Sequence, residues 1–243
     1  MDGVRIDAGH LAGADGLCVV MAHGFTGHWR QPATRRIAGA LNRVGGVIAI
    51  DFRGHGKSAG LSTVGDREVL DVDAAVRHAR HLGYERVVLV GFSMGGMIVI
   101  RHAALLGGVD AVVSVSAPAR WYYRDTKPMR RAHWAIERRT GRLAVRLARH
   151  TRIRSGGWPR EPEPPHSVAG RISPVPFLVV HGDADPFLPT DHAEQLYDAA
   201  AEPRELWIEP GFGHAEAAAT PALIGRIADW AAARTRGAGQ AHS

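Results

Sequence analysis

Residues 87–96 have the sequence Val-Val-Leu-Val-Gly-Phe-Ser-Met-Gly-Gly. The apolar run 87–90 predicts a buried strand, and the apolar spacing that begins at Met97 predicts a helix. Between them, the pattern G-x-S-x-G places Ser93 on a sharp turn, where glycines at positions 91 and 95 let strand and helix approach closely. Such a serine exposes its hydroxyl beside the free N–H groups of a helix N-terminus. The pattern predicts a nucleophile at Ser93; the alternative is a glycine-rich structural turn.

Short apolar runs of the same kind recur on both sides of this turn. They occupy residues 17–22, 47–50, 111–115 and 177–180. Apart from Ser114, these runs are continuously apolar instead of alternating, which is typical of strands covered on both faces in a parallel sheet. The run 205–208 is half polar, so it predicts a strand nearer the edge of the sheet.

Helical spacing fills the segments between these runs. Apolar residues recur three or four positions apart within residues 37–44, 69–79 and 223–230. The alternation of strands and helices predicts an α/β domain with a doubly wound, mostly parallel sheet.

One long segment interrupts the alternation. Residues 118–174 contain no candidate strand, and their apolar spacing predicts two helices separated near Gly141. We expect a small helical cap inserted between two core strands. The predicted core then consists of residues 1–117 and 175–243, and the cap of residues 118–174.

A serine nucleophile needs a base and an acid that orients the base. His214 follows a predicted strand, in a loop before the last predicted helix, and loops at the carboxyl ends of strands carry the sites of open α/β sheets. Asp185 is the predicted acid, since it lies far enough beyond the strand 177–180 to turn towards the site. Asp183 is the alternative and is otherwise a turn residue.

The order Ser93, Asp185, His214 resembles that of the α/β-hydrolase superfamily. The resemblance covers most of the chain outside residues 118–174. Residues 23–27, His-Gly-Phe-Thr-Gly, look like the oxyanion loop of that family. The resemblance implies that the backbone N–H groups of Phe25 and Met94 hold the oxyanion, while His23 has a structural role.

Composition excludes several other classes of protein. The chain has 243 residues, of which 45% are hydrophobic and 22% charged, so it is neither disordered nor fibrous. No apolar run could span a bilayer, and no signal peptide is evident, so we expect a cytoplasmic protein. The single cysteine, Cys18, predicts an inert buried thiol. We find no metal-ligand pattern, no nucleotide-binding motif and no nucleic-acid motif, and we expect no cofactor.

Positive charge is concentrated in residues 120–160, which contain thirteen Lys and Arg but only two acids. This segment carries +11, while the rest of the chain carries −5. Three explanations remain open: a solvated helical face, recognition of an anionic substrate group or acidic carrier, and contact with an acidic membrane surface or nucleic acid. Aromatic residues are interleaved with the arginines, and Trp121, Tyr122 and Trp134 are candidate substrate-binding residues.

We therefore expect a serine hydrolase that cleaves a carboxylic ester or thioester of a small acyl substrate through an acyl-enzyme on Ser93. Fold alone does not determine the reaction. The alternative is a non-hydrolytic protein, a lyase, cyclase or ligand binder, that uses the same pocket.

Overall fold

A computed structural model describes residues 2–14 and 16–236. Those residues form a sheet of seven strands in the order β1-β3-β2-β4-β5-β6-β7, with β1 antiparallel to β3 and all other neighbours parallel. The doubly wound, mostly parallel sheet predicted from the sequence is confirmed. The strands are β1 Ala8–Leu11, β2 Leu17–Ala22, β3 Gly46–Ile50, β4 Arg86–Phe92, β5 Ala111–Val115, β6 Phe177–Gly182 and β7 Arg204–Glu209.

Helices cover both faces of this sheet. Because successive side chains of a strand point to opposite faces, Val19 and Met21 of β2 pack in one apolar layer and Cys18 and Val20 in the other. The first layer includes α1 and α9, and the second includes α2, α3 and α7. The helices are α1 Pro32–Leu41, α2 Val69–His81, α3 Met94–Leu105, α4 Lys127–Glu137, α5 Arg139–Arg149, α6 Pro165–Val168, α7 Asp191–Ala199, α8 Ala215–Ala218 and α9 Pro221–Thr235, with 3₁₀ turns at Asn42–Val44 and Ala169–Ile172.

The strand β1 has no counterpart among the predicted runs. It has four residues, most of them exposed, and it lies at the edge of the sheet, so it has no apolar run. The half-polar β7 occupies the other edge, as its composition predicts. Cys18 is completely buried, and burial raises the pKa of its thiol to about 12. No helix within residues 2–14 and 16–236 has both the length and the apolar character needed to cross a bilayer.

The insertion between β5 and β6 contains two kinds of packing. Helices α4 and α5 pack on each other, and Gly141 is needed at their contact because a Cβ there would lie 2.2 Å from the carbonyl oxygen of Trp134. The break between the two helices falls at Arg138, so the expected break at Gly141 was wrong. In contrast, α6 and the following 3₁₀ turn pack on α3 through buried apolar side chains.

We propose residues 118–174 as the insertion and residues 1–117 and 175–243 as the core. Residues 1, 15 and 237–243 of that core lie outside the described residues. Hydrogen bonds attach the start of the insertion to α7: Ala119 N donates to Nδ1 of His192 at 3.0 Å, while Arg120 pairs with Asp191 at 2.9 Å and donates to Gln195 Oε1 at 2.7 Å.

Buried histidines give this fold a testable response to acid. Burial lowers the pKa of both His102 and His192 to about 4, below the ordinary value of 6.5. Between those values the unfolded chain binds more protons than the folded one, so these residues reduce the free energy of unfolding as the pH falls. In an NMR titration, both rings should still give the signals of neutral imidazole at about pH 5.5. Protonation of either ring near pH 6.5, the ordinary pKa of histidine, would contradict the prediction.

Candidate active site

Ser93 lies in a strained turn between β4 and α3. Its backbone angles are φ 50° and ψ −114°, in a region that residues with a side chain rarely adopt. Ser93 N donates to the carbonyl oxygen of Val115 at 2.8 Å, which fixes the turn to β5. Glycine is required on both sides, since a Cβ at Gly91 would lie 2.3 Å from Gly95 O and a Cβ at Gly95 would lie 2.2 Å from Ala22 O.

His214 lies between Ser93 and Asp185. Its Nε2 is 2.9 Å from Ser93 Oγ, and its Nδ1 is 2.6 Å from Asp185 Oδ2. An ionised carboxylate only accepts hydrogen bonds, so the ring donates from Nδ1 and Nε2 accepts from the serine hydroxyl. The structure therefore brings together the three side chains that the sequence singled out, from loops after β4, β6 and β7.

The two candidate aspartates have different surroundings. The Asp185 side chain is fully buried, and its Oδ1 accepts from the N–H groups of Phe187 at 2.8 Å and Leu188 at 3.2 Å. These bonds leave Oδ2 directed at His214. The exposed Asp183 instead accepts from Gly211 N at 2.7 Å. Asp183 thus joins the loop after β6 to the loop after β7, and it has no hydrogen bond to His214.

Phe25 and Met94 line the same cleft as Ser93 and His214. Met94 is the first residue of α3, so its N–H has no partner within the helix. The Phe25 N–H has no acceptor among residues 2–14 and 16–236. His23 holds this loop: its Nδ1 donates to Gly24 O at 2.7 Å, and its Nε2 accepts from Phe52 N at 3.1 Å. Burial keeps the pKa of His23 well below its ordinary value, so the ring stays neutral.

The cleft above Ser93 has a volume of about 720 Å³, and α4 and α5 form one side of it. A second cavity of about 330 Å³ adjoins it and is mostly apolar. Trp134 lines the cleft, whereas Trp121 and Tyr122 line the adjoining cavity. The two spaces share a wall made of Val64, Met97, Pro118, Met129 and Ile136.

A sequence model described as the alpha/beta hydrolase family matches residues 19–234. The chain belongs to this family. The matched range includes Phe25, Ser93, Asp185 and His214. This agrees with the resemblance drawn from the order of Ser93, Asp185 and His214.

The chain is also similar to individual proteins. The chain is 27% identical to the uncharacterized protein YfhR of Escherichia coli O157:H7, over 89% of this chain and 71% of that protein. It is 28% identical to a monoacylglycerol lipase of Mycolicibacterium smegmatis, over 81% of this chain and 80% of the lipase. The esterase Pf2001 of Pyrococcus furiosus has a similar fold, with a TM-score of 0.73 at 21% identity, covering 96% of this chain and 86% of the esterase.

Two residues of this alpha/beta hydrolase site were not found by sequence reasoning. The Phe187 ring stacks on His214, with centroids 4.3 Å apart. Glu216 Oε1 accepts from Gly24 N at 2.6 Å, which ties the residues after His214 to the loop that carries Phe25. Burial raises the pKa of Glu216. Neither residue belongs to a sequence pattern, and only the closeness of Glu216 to His214 could have drawn attention to it.

Asp185→Asn should slow the labelling of Ser93 by a fluorophosphonate about a hundredfold or more, because an amide can hold His214 in the wrong tautomer. Asp183→Asn is the matched control and should label within a few-fold of the wild-type rate. The rate of labelling is measured by mass spectrometry on folded protein. Equal rates for the two variants, or slower labelling of the Asp183 variant, would contradict the assignment of Asp185.

Proposed function

We propose that this alpha/beta hydrolase is a serine esterase that cleaves a carboxylic ester through an acyl-enzyme on Ser93. The observation that carries the proposal is the hydrogen-bonded series Ser93–His214–Asp185 at the base of a cleft with apolar walls. Nucleophile, base and orienting acid are within hydrogen-bond reach of one another, which is the arrangement that acyl transfer by serine requires.

In the first half of the reaction, Ser93 Oγ attacks the ester carbonyl while His214 Nε2 takes the hydroxyl proton. The negative charge develops on the carbonyl oxygen, where the N–H groups of Phe25 and Met94 are available to bind it. One such donor contributes about 3 kcal/mol to the stability of the transition state in comparable sites. Collapse of the intermediate breaks the bond to the leaving oxygen, and His214 gives its proton to the departing alcohol.

In the second half, water attacks the acyl-enzyme. His214 takes a proton from the water as the water oxygen bonds to the acyl carbon. The second tetrahedral intermediate then collapses: the bond from the acyl carbon to Ser93 Oγ breaks, His214 returns the proton to Ser93 Oγ, and a carboxylic acid leaves. Asp185 stabilises the imidazolium in both halves because its buried carboxylate is fixed by Phe187 N and Leu188 N. In both halves of the reaction, the groups that accept and donate protons are side chains of the protein.

The shape of the site favours an ester with an apolar acyl group. The adjoining cavity is lined by aromatic rings, including Trp121 and Trp158 with centroids 4.9 Å apart, and it offers room for a hydrocarbon chain. Similarity to proteins named as an esterase and as monoacylglycerol lipases supports an oxygen ester before a thioester. A lyase, cyclase or ligand binder remains the competing function.

Ser93→Ala should remove hydrolysis of p-nitrophenyl esters, retaining less than about a hundredth of the wild-type kcat/KM. The matched control is Ser167→Ala, at an exposed serine on α6, which should keep full activity. Hydrolysis is followed as release of p-nitrophenol. Activity above that level in the Ser93 variant would refute the nucleophile assignment, and a wild-type serine that does not react with a fluorophosphonate would favour the ligand binder.

Glu216→Ala should lower kcat about tenfold with little change in KM, because it frees Gly24 N and loosens the loop that carries Phe25. Glu216→Gln should restore most of kcat, since its amide oxygen can still accept from Gly24 N. Both constants are measured on the same p-nitrophenyl ester. Equal kcat values for Glu216→Ala and Glu216→Gln would show that the hydrogen bond to Gly24 N does not determine the rate.

A further inference from the structure

The outer side of α5 carries two leucines that are largely exposed. The side chains of Leu143 and Leu147 are among the most exposed large apolar groups in the described residues, at 56% and 72%. They lie four positions apart and therefore share one face of the helix. Gly141 and Val145 lie on the opposite face, where Gly141 is buried against α4. The two leucines therefore lie on the side of α5 that faces away from α4.

Arginines flank these leucines on the same side. Arg139 precedes Leu143 by four positions and Arg146 follows it by three, so they neighbour it on the helix surface. Leu61, itself 50% exposed, lines the same surface depression as Arg139, Leu143 and Arg146. We call Arg139, Leu143, Arg146, Leu147 and Leu61 the α5 face.

The positive charge of this region is not neutralised within the protein. Neither Arg139 nor Arg146 has an ion-pair partner in residues 2–14 and 16–236. The same holds for Lys127, Arg131 and Arg149 nearby in the cap helices. Of the two acids in residues 120–160, Glu137 is already paired with Arg124. The α5 face thus combines exposed leucines with unpaired arginines.

We propose that the α5 face docks on an anionic lipid surface. A short amphipathic helix rich in arginine and leucine can lie in the plane of a membrane interface, with its apolar side chains among the lipid chains. The leucines would lose their contact with water, and the arginines would pair with lipid phosphates through their bidentate forks. Each cation near an anionic bilayer adds to the attraction.

The observations favour a lipid surface over other partners. A second copy of the chain would bring two strongly cationic faces together, and their repulsion opposes a dimer through α5. The arginines could bind the phosphates of a nucleic acid. Proteins that bind single-stranded nucleic acid stack its bases on aromatic side chains, whereas the α5 face offers leucines. A bilayer supplies both the phosphates and an apolar layer beneath them.

Docking through α5 would also place the cleft beside the lipid. Val145 and Arg149 of the same helix line the cleft that contains Ser93. One side of α5 would therefore contact the bilayer while its opposite side, which includes Val145, forms part of the wall of the cleft. The mouth of the cleft would then lie within one helix diameter, about 10 Å, of a lipid-borne ester; this delivery rests on the proposed function, whereas docking itself does not.

The first test is co-sedimentation with vesicles of equal parts phosphatidylglycerol and phosphatidylcholine. The wild-type protein should bind them, and it should release as the Debye length shrinks from about 10 Å at 0.1 M to about 3 Å at 1 M ionic strength. The variants Leu143→Ser/Leu147→Ser and Arg139→Gln/Arg146→Gln should each partition at least about tenfold more weakly.

Two control variants match these changes elsewhere on the surface. Leu105→Ser/Leu106→Ser removes two exposed leucines at the far end of α3, and Arg35→Gln/Arg36→Gln removes two exposed arginines of α1. Both should bind vesicles as the wild type does, and thermal unfolding should verify that all four variants are folded. Equal losses in the controls and the α5 variants would overturn the proposal.

Other outcomes would also overturn it. Absence of wild-type binding to the anionic vesicles would do so, as would equal binding to phosphatidylcholine alone. Binding to poly-glutamate that requires Leu143 and Leu147, without binding to vesicles, would indicate an acidic protein instead. A dimer in sedimentation equilibrium that the leucine variant dissociates would indicate a second copy.

An activity measurement separates docking from catalysis. The α5 variants should hydrolyse a soluble p-nitrophenyl ester at the wild-type rate, but hydrolyse the same class of ester held in anionic vesicles about tenfold more slowly. Ser93→Ala should still sediment with the vesicles. Sedimentation without any hydrolysis would contradict the proposed function alone, whereas hydrolysis without sedimentation would contradict docking alone.

Discussion

The close approach of β4, α3 and β2 around Ser93 is the constraint on which the rest of the site depends. Backbone atoms of Gly95 and Ala22 occupy the space that side chains at Gly91 and Gly95 would need, so the chain can turn here only without those side chains. The turn holds Ser93 in a strained conformation that directs its hydroxyl above the sheet. Packing between β4 and α3 maintains the strain, because relieving it would separate a strand and a helix buried on both sides.

Hydrogen bonds between loops position the remaining groups. Asp185 is a buried charge, and two N–H groups and His214 compensate for its loss of hydration. Glu216 joins the loop after β7 to the loop after β2 through Gly24 N. The cap helix α4 is attached to the same region, since Thr126 Oγ1 donates to the carbonyl oxygen of Phe187 at 2.8 Å, and Phe187 stacks on His214. A movement of the cap would therefore shift Phe187 and, through the stacked rings, His214, the proposed base.

Charge divides the molecule into two regions with different roles. The residues outside 120–160 together carry −5, and their basic groups are largely used in ion pairs such as the buried Arg53–Asp71 pair. Residues 120–160 of the cap carry +11, and several of their arginines have no acidic neighbour, so the attractive field for anions is concentrated beside the cleft. The apolar cavity under this cap and the leucines on its outside give the cap an apolar surface on both sides.

The sequence by itself determined the α/β architecture, because strands buried on both faces leave continuous apolar runs and the turn at Ser93 requires its two glycines. It also singled out Ser93, His214 and Asp185, since each follows a recognisable strand. The sequence favoured Asp185 over Asp183 only by its distance from the strand. The tertiary structure supplies the physical reason, since the N–H groups of Phe187 and Leu188 direct the Asp185 carboxylate at His214. Likewise, β1, Glu216 and the exposure of Leu143 and Leu147 depend on contacts between distant segments, which leave no periodic signal along the chain.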